Sequence, residues 1–549
     1  MGKPIIYQVL PRLWGNLNDS PVKGGTLAQN GCGKFRNMDR ESLEYLKSIG
    51  ISHIWFTGVI RHATLCDTCG CTPSDEAWVK GNAGSPFSIT DWFDVNPYLA
   101  DNPDNRMEEF EEMVERTHAS GLKVLLDFIP NHVARDYGRF SPRPWKDGRD
   151  AAGHPVFGAQ DDTSVNWKPE NDFFYYPGEE LRLPAGNGTF REFPAKASGN
   201  FFGAAPGIND WYDTVKLNYC DWHTATWDKM LEVVLFWARK GVDGMRCDMV
   251  ELVPADFFKW LIAKVHEEFP DFMFIAEVYM KNLYSKYVHE VGFDYLYDKS
   301  GMFDALADVV HKNVEDSGMP VEDWQSARRL TWNWQFLGDV QPHMLNFLEN
   351  HDEIRYASRF MAGDPEKSLA ALHAALFLNT AAFMVYFGEE VGEKGMDEEG
   401  LSSVNGRTTI FDWWSPSSVR ALYRHIHGDN DALDSQQKAF LEKFTSLTRF
   451  AATDNAIGRG DMYDLCYCNY ASDGFNKDKH FAFLRDWEDE TLLVVCNFSS
   501  CDSDISISIP EHAFEWLGMD KTETLNPDLP VRVHVKACDG TIVRLCPAR

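Results

Sequence analysis

The stretch Val242-Asp-Gly-Met-Arg246-Cys-Asp248-Met249 reads as a short, mostly apolar strand that carries two opposite charges towards its end. Arg246 and Asp248 stand two residues apart, so on an extended chain both side chains leave the same face. A segment with helical spacing of apolar residues precedes it, Thr226 to Arg239, and another follows, Ala255 to Glu268. Strand alternating with helix is the pattern of parallel strands joined by crossover helices.

The alternation extends in both directions. Ile5 to Leu10, Ile51 to Phe56, Lys123 to Ile129, Met273 to Val278, Phe293 to Tyr297, Met344 to Glu349 and Phe383 to Phe387 bring the strands to eight. Arg106 to Ser120 and Glu366 to Asn379 repeat the helical spacing. Eight such units imply an α/β fold closed as a TIM barrel, not an open sheet. Two regions break the pattern. Residues 132–205 hold Pro142, Pro144, Pro155, Pro169, Pro177 and Pro184 among many Gly, Asn and aromatic residues, which predicts a subdomain inserted after the third strand. From about residue 455 short alternating runs take over, as in Leu492-Leu-Val-Val and Ile505-Ser-Ile-Ser-Ile, which predicts a C-terminal all-β sandwich. The expected organisation is a barrel over 1–131 and 206–454, an insertion over 132–205 and a sandwich over 455–549.

Composition narrows the function. A formal charge of −30 repels polyphosphates and anionic lipid, so nucleic acid and membrane surfaces are excluded as partners and a neutral ligand is expected. Aromatics at 13%, with 18 Trp, supply flat apolar faces of the kind that suit sugar rings, although most of them belong to the core. The N-terminus reads straight into a strand and no apolar run is long enough to span a bilayer, which gives a cytoplasmic expectation. The 12 cysteines are scattered, as reduced thiols are. Cys66, Cys69 and Cys71, with His62 upstream, have ligand types that tetrahedral zinc takes, but the run lacks a second Cys-x-x-Cys half and reads as free thiols.

Barrel enzymes keep their chemistry at the C-terminal ends of the strands, and here four strands end in acids. The third ends Asp127-Phe-Ile-Pro-Asn131-His132, the fourth at Arg246-Cys-Asp248, the fifth at Phe274-Ile-Ala-Glu277 and the seventh at Glu349-Asn350-His351-Asp352. In this order and spacing they resemble the conserved regions of glycoside hydrolase family 13, the α-amylase family. The resemblance implies a retaining hydrolase of α-1,4-glucosidic bonds in starch, glycogen or maltooligosaccharides. Retention needs two carboxyls roughly 5–5.5 Å apart, one nucleophilic and one protonated, and Asp248 and Glu277 fit those parts. A guanidinium fixed at Arg246 would orient the Asp248 carboxylate and favour its charged form. Burial near other acids would keep Glu277 a proton donor.

By the same resemblance, Asp352 holds sugar hydroxyls and stabilises the transition state, His132 and His351 donate to hydroxyls, and Asp127 supports the site from below. Ser85-Pro-Phe87-Ser88 resembles the stretch that places an aromatic platform under the cleaved sugar, with Phe87 where a Tyr is usual. Asn131 is the one calcium ligand the resemblance supplies. Lys216 stands where an acidic ligand is common, and Glu251-Leu252 replaces a Lys-His pair, so no cofactor is expected to be required. Three alternatives share the family. A 4-α-glucanotransferase uses the same intermediate. An exo-acting α-glucosidase is disfavoured by Ser88, where those relatives carry Asp. A non-catalytic scaffold, as in amino-acid transporter heavy subunits, is disfavoured by the three retained acids.

Overall fold

The computed structural model describes residues 2–139, 147–315, 322–396, 404–521 and 525–546. Eight parallel strands close a barrel: β1 (Ile5–Val9), β2 (His53–Phe56), β3 (Lys123–Phe128), β4 (Gly244–Cys247), β5 (Met273–Ala276), β6 (Tyr295–Tyr297), β7 (Met344–Phe347) and β8 (Phe383–Tyr386). Each lies within a stretch that the sequence pattern marks as a strand. Apolar residues dominate them because crossover helices cover the outside and packed side chains fill the inside. Among the described residues no helix is long and apolar enough to cross a membrane.

Register aligns the chemistry. Arg246 on β4 pairs with Asp127 on β3 and with Ile275 on β5, so the guanidinium starts level with one acid and below two others. The pairing continues past the strand ends, with the Asp248 N–H donating to Phe128 O at 2.8 Å and the Glu277 N–H to Cys247 O at 3.0 Å. Gly244 makes this spacing available, since a Cβ there would lie 2.5 Å from Met273 O. Close approach of β4 and β5 therefore excludes a side chain at that position.

The excursion after β3 is anchored by an antiparallel pair, His132–Ala134 with Thr214–Lys216, and holds a second pair, Tyr175–Tyr176 with Ala195–Lys196. It shares a small second core with the loop after β2, in which Trp78 of that loop packs with Ala134, Leu181, Leu183 and Ala195. Pro142 and Pro144 lie outside the described residues. Beyond the barrel the chain forms a four-stranded antiparallel sheet from Asp461–Asp464, His480–Trp487, Glu490–Asn497 and Asp539–Cys546, and a two-stranded one from Ser503–Ile507 and Val531–Val535. A helix, Glu511–Leu517, stands between the two strands of the smaller sheet. Arg485 fastens the larger sheet to the barrel, its buried guanidinium donating to Leu378 O, Ala456 O, Ile457 O and Gly460 O at 2.7–3.1 Å.

Candidate active site

A pocket of about 220 Å³ opens where the C-terminal ends of the strands converge. Phe87, His132, Asp248, Glu277, His351 and Asp352 line it. Arg246 and Asp127 lie buried beneath.

Arg246 organises the floor. Its side chain is 0% exposed; Nη1 contacts Asp248 Oδ1 at 2.5 Å and Nη2 contacts Glu277 Oε1 at 2.8 Å. The second contact is an ion pair without hydrogen-bond alignment. One guanidinium thus spans both carboxyls, and their separation is limited to its width plus two polar contacts. Rings surround it, with centroids 5.4 Å (Trp55), 5.7 Å (Phe87) and 5.5 Å (Tyr297) from its central carbon, close enough for cation–π attraction. Asp127 accepts from Trp55 Nε1 at 3.1 Å. Burial raises its carboxyl to about 7, against the pull of Arg246 and His351.

Glu277 is held at both oxygens. Oε2 accepts the Met249 N–H at 2.8 Å and Oε1 accepts the Tyr279 hydroxyl at 2.6 Å. Met249, which donates this N–H, adopts φ +45°, a left-handed conformation that residues with side chains rarely take. Such strain, of order 1–3 kcal/mol, persists where the surroundings enforce it. Burial raises the Glu277 pKa; Arg246 and the Tyr279 hydroxyl oppose the rise, and the charges of Asp248 and Asp352 add to it. The arrangement raises the pKa of a carboxyl that is also bonded to groups able to stabilise its anion.

Asp352 opens to the pocket with a side chain 46% exposed, and its Oδ2 lies 3.2 Å from His351 Nε2. Partial desolvation by the pocket walls would raise its pKa, but His351 and Arg246 outweigh it and hold the carboxyl well below the usual range. Correspondingly, Asp352 raises the His351 pKa against the effect of burial. His351 also meets Gln8 Nε2 at 2.9 Å and stacks on Phe87, with centroids 5.0 Å apart. The loop carrying both residues is tied down by Glu349, which accepts from Arg355 Nη1 at 2.7 Å and from the Tyr356 N–H at 2.6 Å. His132 differs in charge. Burial lowers its pKa to about 3, so it presents a neutral imidazole.

The structure adds residues that sequence reading did not select. Lys80 and Asp213 form an ion pair at 3.0 Å, joining the loop after β2 to the insertion across the pocket wall, where Trp211 and Phe411 also stand. No local signal brings residues so far apart in the chain together. Tyr279 was legible in principle, since it lies two residues beyond Glu277.

Calcium does not fit at Asn131. The Lys216 ammonium bonds to Asn131 Oδ1 and donates to Leu252 O at 3.1 Å, so a fixed cation already holds the oxygens that an ion would need. Burial lowers Lys216 to about 8, which leaves it mostly charged at neutral pH. The zinc grouping does not assemble around His62 either, because its ring nitrogens meet Ala63 O at 2.9 Å and the Tyr98 hydroxyl at 2.8 Å. Among the described residues the one close group of three ligand atoms is Asp39, Glu41 and His427, none of which lines the pocket.

Two carboxyls thus share one buried cation at the mouth of a parallel barrel. Residues 29–442 match the family model described as alpha amylase, catalytic domain. The chain belongs to the α-amylase family, glycoside hydrolase family 13. It is 21% identical over 509 residues to Alpha-amylase 3 of Dictyoglomus thermophilum, a match covering 88% of this chain and 85% of that protein. It is 22% identical over 431 residues to the cyclomaltodextrin glucanotransferase of Geobacillus stearothermophilus, covering 74% of this chain and 52% of that one. The α-amylase of Geobacillus thermoleovorans, solved in complex with acarbose, superposes with a TM-score of 0.63 at 16% identity, covering 98% of each chain.

Two outcomes follow from this geometry. Tyr279→Phe removes a donor that stabilises ionised Glu277, so the alkaline limb of the kcat/KM profile should move to higher pH; an unmoved limb would refute the role given to the hydroxyl. With Lys216 as the resident cation, EDTA should leave the melting temperature unchanged, whereas Lys216→Met should cost about 1–3 kcal/mol by removing the ammonium bonded to the buried Asn131 side chain. A large loss on chelation that calcium alone restores would contradict this.

Proposed function

We propose that the protein is a retaining glycoside hydrolase that cleaves α-1,4-glucosidic bonds in starch, glycogen or maltooligosaccharides. The observation that carries the reading is the single Arg246 guanidinium in contact with both Asp248 and Glu277, which supports the short carboxyl separation of a double-displacement site. Asp248, oriented by Nη1, attacks the anomeric carbon while Glu277 gives its proton to the departing glycosidic oxygen. The C–O bond breaks with its electron pair on that oxygen, and a glycosyl ester forms on Asp248. Glu277, now ionised and supported by the Met249 N–H and the Tyr279 hydroxyl, takes a proton from water, which displaces Asp248. Asp352, kept anionic beside His351, suits stabilisation of the positive charge that develops on the sugar ring.

Transfer to a sugar hydroxyl in place of water is the second reading, since it uses the same intermediate. It is favoured by the match to a cyclomaltodextrin glucanotransferase. Chromatography of products from a single maltooligosaccharide separates the two: shorter products alone mean hydrolysis, whereas products longer than the substrate mean transfer. Asp248→Asn should still fold, with some loss of stability because one counter-charge of buried Arg246 is removed while Glu277 and Asp127 remain. It should lose about 10³-fold or more in turnover, because an amide cannot form the ester. Near-normal activity in that variant would overturn the assignment of the nucleophile.

A further inference from the structure

The segment that carries the acid also leads out of the pocket. Two residues past Glu277, Tyr279 lines the wall; Met280, next in the chain, is 57% exposed. Lys281 follows and reaches the helix Arg328–Leu337, where its ammonium donates to Asn333 Oδ1 at 2.7 Å and lies 4.5 Å from the centre of the Phe336 ring. On the outward face of that helix Trp332 is 45% exposed and Phe336 56%. One helical turn separates them, so both rings share a face, and exposed Gln335 stands on the same side. The Arg328 guanidinium lies 5.4 Å from the Trp332 ring centre. Flat apolar surface bordered by an amide and by N–H donors is the chemistry that a polyhydroxylated ring binds: its C–H faces stack and its hydroxyls find polar partners. A chain of charge −30 gains nothing in solubility from leaving these rings uncovered.

We propose that the Trp332–Phe336 face is a second glucan-binding surface, occupied by the leaving-group portion of a long α-glucan whose scissile bond sits in the pocket. The direction follows from Glu277. An acid faces the leaving group, and the path Glu277, Tyr279, Met280, Lys281 runs from that group towards the exposed rings. The proposal therefore rests on the reading of Glu277 as the acid. It makes long chains better substrates than short ones without changing the chemical step.

Affinity electrophoresis through gels containing amylose reads the surface without turnover when run in the Asp248→Asn background. Adding Trp332→Ala and Phe336→Ala should weaken retardation by about fivefold to tenfold in apparent Kd, the scale of two lost aromatic contacts. In the active enzyme the same pair should lower, by a similar factor, the ratio of kcat/KM for long maltodextrin to that for an aryl maltotrioside. Trp516→Ala, which removes a 73% exposed ring from the C-terminal region, serves as the control and should change neither. The surface is overturned if Asp248→Asn is not retarded by amylose, if the double variant is retarded equally, or if Trp516→Ala has the same effect. If the wild type cleaves no α-glucan, the proposed function fails instead, and the retardation still decides the surface.

Discussion

A guanidinium with no exposure to solvent sits under the pocket, and the site is arranged around its need for counter-charge. Removing one ion from water costs several kcal/mol even after relaxation, so Arg246 is tenable only with carboxylates in contact. Asp248 and Glu277 touch it and Asp127 pairs beside it in register. Three carboxyls facing one cation carry an excess of negative charge in a region that penalises charge. Protons relieve the excess: burial raises both Glu277 and Asp127, the latter to about 7. On the proposed mechanism, the proton donor is thus a consequence of burying several acids around one arginine.

Rigidity comes from the surroundings of these groups. β3, β4 and β5 fix the three acids and the arginine through backbone pairing that runs past the strand ends. Met249 is held in a left-handed conformation and donates its N–H to Glu277. Glu349 and Arg355, both buried, brace the loop that presents His351 and Asp352. Lys216 clips the insertion to the ends of β3 and β4 with a covalently tethered cation. In each case a polar group is placed by bonds that would be costly to leave unmade.

The barrel and the acid-bearing strand ends were legible because their information is local. A strand of a few apolar residues ending in Asp or Glu fixes both the face and the height of the acid, so Asp127, Asp248 and Glu277 could be placed from the strand pattern; Asp352 lies on the loop beyond β7 and was reached through the family resemblance. Lys216 was legible as a departure, and the structure supplies its reason in the oxygens it binds. The Lys80–Asp213 pair and Trp211 were not, since they meet through the fold of the insertion and no spacing rule relates them. His62 near three cysteines suggested a metal, but its ring nitrogens are taken by Tyr98 and Ala63, and only tertiary contacts reveal that.

The account stands or falls on whether the two carboxyls held by Arg246 act by double displacement. Proton NMR of a maltooligosaccharide digest, recorded before mutarotation, reads the anomer first released. The account predicts the α-anomer, with configuration retained. Initial release of the β-anomer would mean single displacement by water, and would contradict the covalent role of Asp248.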